Sequence, residues 1–176
     1  MATTNWTIDP THSEIGFKVK HMMFTNVSGK FEKYEGTIVS ENENFENATI
    51  EFSADIDSIN TGNADRDNHL KSADFFNGDS NPKLQFKSSS FAKKNDDYEL
   101  AGDLSINGVT KFVQLPAEFS GLMTDPWGNT KAGLNVSGKI NRKDWGLNWN
   151  SALETGGVLV SDEVRLNIEI QLVKQS

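Results

Sequence analysis

Cysteine is absent from the chain, which excludes a disulfide framework, a thiolate metal site and a cysteine nucleophile. It leaves the compartment open, because disulfide-free proteins also occur outside the cytosol. Basic residues are in deficit: 17 Lys and Arg stand against 25 Asp and Glu, for a formal charge of -8. Nucleic acid and anionic membrane surfaces are held by clustered cations that displace counterions, so this balance argues against unassisted binding to either. No apolar run approaches the roughly 18 residues needed to cross a bilayer. Residues 1–6 show neither a basic n-region nor an apolar core. The expectation is a protein without an integral membrane segment, cytoplasmic, or periplasmic if a leader was removed. Three scattered histidines without supporting acids argue against a metal site. With no Gly-rich phosphate loop and no Ser, His and acid cluster in a hydrolase context, neither a cofactor nor a catalytic residue is assigned.

What the chain does have is alternation with period two, the mark of half-buried strands. Ile15, Phe17 and Val19 alternate with Glu14, Lys18 and Lys20, and Ile50, Phe52, Ala54 and Ile56 alternate with acids and Ser53. The run Val164, Leu166, Ile168, Ile170, Leu172 is the cleanest. Val27 and Phe31 lie on one parity and Tyr34 and Ile38 on the other, which requires an irregularity near Glu32 or Lys33. Gly29 could supply a further bulge or sharp bend. Asn107-Gly108 is a strong hairpin signal; Asn95-Asp96 and the 125–129 segment read as further turns. The 141–157 segment, with Trp145, Trp149 and the Gly156-Gly157 pair, is irregular.

The rhythm changes in one place. From Asp65 the apolar residues fall at Leu70, Ala73 and Phe76, a spacing of three that predicts a short helix over 63–76. Thr61 and Asn63 are its capping candidates, and Gly78 its stop. The chain therefore reads as all-β with one short helix, about eight antiparallel strands in one domain over 1–176, as a sandwich or a barrel. Closure into a barrel would cover the single apolar face of each strand and remove exposed edges. The small inward residues Ala54, Ser88, Gly102 and Gly138 either make room for neighbouring aromatics or leave a cavity.

Four blocks, in order, resemble the YceI-like family of lipid-binding proteins. They are Trp6-Thr7-Ile8-Asp9-Pro10-Thr11-His12-Ser13; Arg66-Asp67-x-His69-Leu70 with Ser72, Asp74, Phe75 and Phe76; Leu104-x-Ile106-x-Gly108-Val109-Thr110-Lys111; and Asn141-Arg142-Lys143-Asp144-Trp145-Gly146 with Trp149 and Asn150. The resemblance implies a closed lipocalin-like barrel whose apolar interior holds one isoprenoid or similar long-chain lipid, commonly in a homodimer.

The inward candidates for the cavity lining are Ile15, Phe17, Val19, Phe31, Phe52, Ala54 and Ile56. Leu70, Phe86, Leu100, Leu104, Val136 and Ile168 complete the set. Arg66 and His69, three apart on one side of the expected helix, are the candidates for a ligand head group, such as a quinone oxygen or phosphate. A structural network through Arg66 and Asp67 is the competing reading. Two other functions stay open: an enzyme acting on such a lipid through His69 and a neighbouring acid, and a ligand-free interaction module with a filled barrel.

Overall fold

The computed structural model describes residues 3–22, 24–41, 45–150 and 160–175. The Gly156-Gly157 pair singled out above lies outside them.

Among the described residues, alternation is realised as eleven strands in one sheet. They are β1 (Thr4–Ile8), β2 (Glu14–His21), β3 (Thr25–Phe31), β4 (Tyr34–Ser40), β5 (Thr49–Asp55) and β6 (Ile59–Asn60). After the helix come β7 (Lys83–Lys94), β8 (Asp97–Ile106), β9 (Val109–Thr124), β10 (Thr130–Asn141) and β11 (Val160–Lys174). The first six form three bent staves, because β1 pairs with β4 while β2 pairs with β3, and β3 in turn pairs with β6 and β4 with β5. β11 pairs with β10, β2 and β1, which closes an eight-strand antiparallel barrel.

Each bend has a local cause. Glu32 and Lys33, between β3 and β4, supply the irregularity that the parity change required. Ile56–Ser58 makes a short 3-10 turn between β5 and β6. Between β1 and β2, Asp9 caps the turn Pro10–His12, accepting from the Thr11 backbone N–H and, at 2.9 Å, pairing with His12 Nδ1. Lys131 Nζ reaches the same carboxylate at 3.2 Å. The His12 and Thr11 hydrogen bonds, with help from Lys131 and against partial burial, hold the Asp9 carboxyl well below its usual 3.8. A depressed folded value means stability that is complete above pH 3.8 and is lost as pH falls through the lower folded value. Asp9→Asn should therefore lower stability at neutral pH and flatten its decline below pH 3.8; urea titrations at pH 6 and about pH 2.5 read both. An unchanged slope would remove the corner from acid unfolding.

Gly29 makes no bulge. It pairs in register with Phe17, whose ring fills the space that a side chain at Gly29 would need. The register shifts fall elsewhere, between Ser88 and Ser90 in β7, at Ser120 in β9 and between Val160 and Val164 in β11. Asn107 and Gly108 both take positive φ, 55° and 74°, as a two-residue hairpin turn demands.

The helix is shorter than its spacing predicts. α1 runs Ala64–Lys71 with Asn63 as its cap, accepting from the Arg66 N–H at 3.0 Å. Ser72 ends it: its hydroxyl and its N–H both donate to the His69 carbonyl. Leu70, Phe75 and Phe76 still share a side because Phe76 N–H donates back to the Leu70 carbonyl in a tight turn.

The half of the barrel away from α1 is filled. Phe45, wholly buried, stacks on Phe119 at 4.6 Å and leans on Trp6 at 5.0 Å. Phe91 stacks on Tyr98 at 4.8 Å, and the Trp6 indole N–H donates to the buried Ser40 hydroxyl.

Candidate functional site

At the other end, β6 is only two residues long and pairs with β3. The chain from α1 to Phe76 lies over this end, with Phe76 set edge-on against Phe31 and Phe75 packed on Trp149. A chamber of about 500 Å³ lies between α1, the β2–β3 hairpin, Trp145 to Trp149 and the start of β11. Behind it, a residual space of about 120 Å³ continues into the barrel. Phe17, Phe31, Leu84, Ile106, Ile140 and Leu166 wall both, so the two spaces adjoin across apolar side chains.

The candidate lining residues divide accordingly. Phe17 and Phe31 stand at the junction, and Val19 and Leu70 wall the outer chamber. Ile15, Phe52, Phe86, Leu100, Leu104, Val136 and Ile168 wall the inner space. Ala54 and Ile56 do not reach it. They point inward as their parity demands, but pack with Ile15, Phe31 and Ile59 in a second core cluster, at 0% and 2% exposure. Gly102 likewise makes room rather than space, since a side chain there would collide with the Phe86 ring.

Polar groups collect at the mouth. Arg66 donates from Nε to Thr61 Oγ1 at 2.8 Å and from a terminal nitrogen to the Thr61 carbonyl at 2.6 Å, while Thr61 donates to Asp67. His69 Nε2 pairs with Asp74 Oδ2 at 2.9 Å, and its ring stands edge-on to Phe75 and Trp149. Both head-group candidates line the chamber, and both already hold protein partners.

Sequence reasoning passed over Arg142, which is 4% exposed and also lines the chamber. Its guanidinium donates to the carbonyls of Leu147, Trp149, Val160 and Ser161, with Asp162 at 3.8 Å. Burial lowers its pKa from 12.5 and Asp162 opposes that shift, leaving a cation beside the apolar wall. Its sequence signal is its place in the fourth block of the resemblance, between an alternating strand and Trp145, which gave it no role. That tryptophan is buried, with its indole N–H on the Leu104 carbonyl at 2.8 Å.

A larger hollow, about 730 Å³, lies on the outer face of β4, β5 and β7. Its polar side chains, among them Glu35, Thr37, Glu51 and Lys87, are exposed and remain hydrated there, so size does not make it the better site. Among the described residues, no three His, Asp or Glu side chains converge as metal ligands, and no helix is long and apolar enough to cross a membrane.

Comparison with known proteins agrees with this architecture. The YceI-like domain model matches residues 6–172. A UPF0312 protein of Staphylococcus aureus strain N315 is 39% identical over 165 residues, which is 92% of this chain and 93% of the relative. The crystal structure of the Campylobacter jejuni YceI protein shares 32% identity at a TM-score of 0.76, covering 89% of this chain and 90% of that one. A polyisoprenoid binding domain from Saccharophagus degradans, at 14% identity and a TM-score of 0.69 over 97% of this chain and 98% of that one, shares the fold. Through an eight-strand barrel, a helix at its mouth and a match over nearly the whole length, the chain belongs to the YceI-like family.

Proposed function

We propose that the chamber and the space behind it bind one long-chain lipid, an isoprenoid, a quinone or a similar amphiphile, tail inward, and that the protein sequesters or carries it. The observation that carries this reading is the gradient along the cavity: polar groups at the mouth, an apolar passage, then an aromatic plug. A volume of about 500 Å³ falls within the roughly 300–1,000 Å³ of small-molecule sites. At about 0.8 kcal/mol per buried methylene, a tail of a dozen carbons gains roughly 10 kcal/mol before ordering costs, so no covalent or strongly charged anchor is needed. Family membership and the printed name of the Saccharophagus domain point the same way.

The His69–Asp74 pair does not favour catalysis. An activated nucleophile must lie within hydrogen-bond reach of the base, and Ser72, the hydroxyl next to α1, donates to the His69 backbone carbonyl instead of the ring. Non-denaturing mass spectrometry followed by lipid extraction tests the main reading: a bound lipid is expected. A protein that carries none and takes up no fluorescent isoprenoid analogue would overturn it.

The head-group role needs its own test, because Arg66 and His69 also serve the local network. Arg66→Ala and His69→Ala should each weaken a ligand bearing a polar head by about tenfold, the worth of a charged hydrogen bond. A headless hydrocarbon of equal length should bind as before. Lower unfolding midpoints with unchanged head-group selectivity would assign both residues to structure alone.

A further inference from the structure

The charge of -8 is unevenly spread over the barrel surface. On the outer face of β10, β11 and β2, Lys139 stands opposite Arg165, and Arg165 opposite Lys18. Lys30 lies in the next row on β3, and Lys143 just past β10; all five are exposed. Like charges placed directly opposite one another across strands repel, so the row costs stability in the free protein. Lys139 and Lys143 have carboxylate partners, Glu163 at 3.6 Å and Asp162 at 3.4 Å. Among the described residues, no ion pair involves Lys18, Lys30 or Arg165. Away from the mouth along β2 and β11, the next charged residues on this face are Glu14 and Glu169, which stand opposite each other, while Asp65 lines the chamber itself.

A second observation falls at the same end. Beyond His21, which lines the chamber, the β2–β3 hairpin presents Met22 at 41% exposure and Phe24 at 87%. A large apolar side chain so exposed, beside a basic band and at the mouth of an apolar chamber, suits one kind of surface. We infer that this face docks on the anionic surface of a lipid bilayer, with Phe24 and Met22 entering the interface and the chamber mouth turned toward the membrane. The inference rests on the lipid-binding reading above.

The overall charge of -8 argues against binding to an anionic surface by the molecule as a whole, but the basic band makes an exception at one end. The 15 residues of β11 span about 50 Å at roughly 3.3 Å per residue. Charges are screened within about 8 Å at physiological ionic strength, so the band acts locally and the distant acids only orient the molecule. The opposite end also exposes apolar residues, Met123 and Trp127, but they flank Asp125, and Lys131, opposite Met123, is already paired with Asp9.

Co-sedimentation with vesicles tests the proposal. Wild-type protein should bind vesicles of equimolar phosphatidylcholine and phosphatidylglycerol, release them as salt rises, and ignore phosphatidylcholine alone. Lys18→Gln should weaken binding by about fivefold, the worth of one cation near an anionic surface. Arg165→Glu should weaken it further, and Phe24→Ser should weaken it without changing the salt dependence. None of these three side chains lines the chamber, so uptake of a fluorescent isoprenoid analogue from solution should be the same in every variant. Wild-type protein that ignores anionic vesicles, or variants that bind them equally well, would overturn docking even if analogue uptake persists. Loss of analogue uptake by the wild type would instead overturn the lipid-binding reading beneath it.

Discussion

Leu104→Lys should abolish binding of a long apolar probe and destabilise the barrel by on the order of 3 kcal/mol, whereas Ser105→Lys should do neither. The two residues are adjacent in β8 and face opposite environments. Leu104 is 8% exposed and walls the inner space, opposite Phe86 on β7. Ser105 lies on the outer face, where its hydroxyl meets that of Thr110. An ammonium at the inner position would stand among mostly apolar side chains and must either draw in water or break the wall. The damage would not stay local, because the Leu104 carbonyl holds the Trp145 indole N–H and Trp145 walls the chamber. Probe titration and urea unfolding of the same two variants check this. Equal behaviour would mean that the strand faces are assigned wrongly there.

Arg142→Met should be as costly for a different reason. The replacement fills similar volume but removes the Arg142 donor from four carbonyls drawn from two stretches of chain, 147–149 and 160–161, of which that of Val160 still accepts from Asn150. Buried acceptors without partners cost about 1–3 kcal/mol each, and even partial access to water leaves a loss of about 3 kcal/mol for the set. Leu147, Trp149 and Val160 also wall the chamber, so probe affinity should fall by at least about tenfold, with 1.4 kcal/mol per decade. Arg142→Lys should recover only part, because an ammonium with three donors cannot span the guanidinium fork. Urea unfolding within about 0.5 kcal/mol of wild type, the range of ordinary surface changes, would show that the fork is dispensable.

The barrel was legible because each strand is wet on one face, and alternation records that directly. It placed Ile50, Leu100, Leu104 and Val136 inside and located the break at Glu32 and Lys33. Serines at the register shifts left no trace, since Ser89 and Ser120 suit either face of a strand. The helix was drawn too long because a turn returning from Phe76 to Leu70 mimics helical spacing. Emptiness was the least legible property. Whether an inward residue meets space or another side chain depends on partners far away in sequence, so Ala54 and Phe52, two apart on one face, have different fates. Phe45, in a stretch rich in Asn and Glu, carried no periodicity, yet it fills the far half of the barrel.

That ring stack fills the barrel at the end away from the mouth. A lipid seated as proposed can leave only by retracing its entry, so its head emerges first and its tail last. A recipient that grips the head therefore does so while the tail is still sheathed, and the apolar chain need never be bare in water. Each further methylene adds about 0.8 kcal/mol to the slope against withdrawal, so tail length would set how long the cargo is retained. The aromatic stack also ends that scale: carbons beyond the tube's depth remain at the mouth and add nothing. A plug made for packing would thus serve as a ruler.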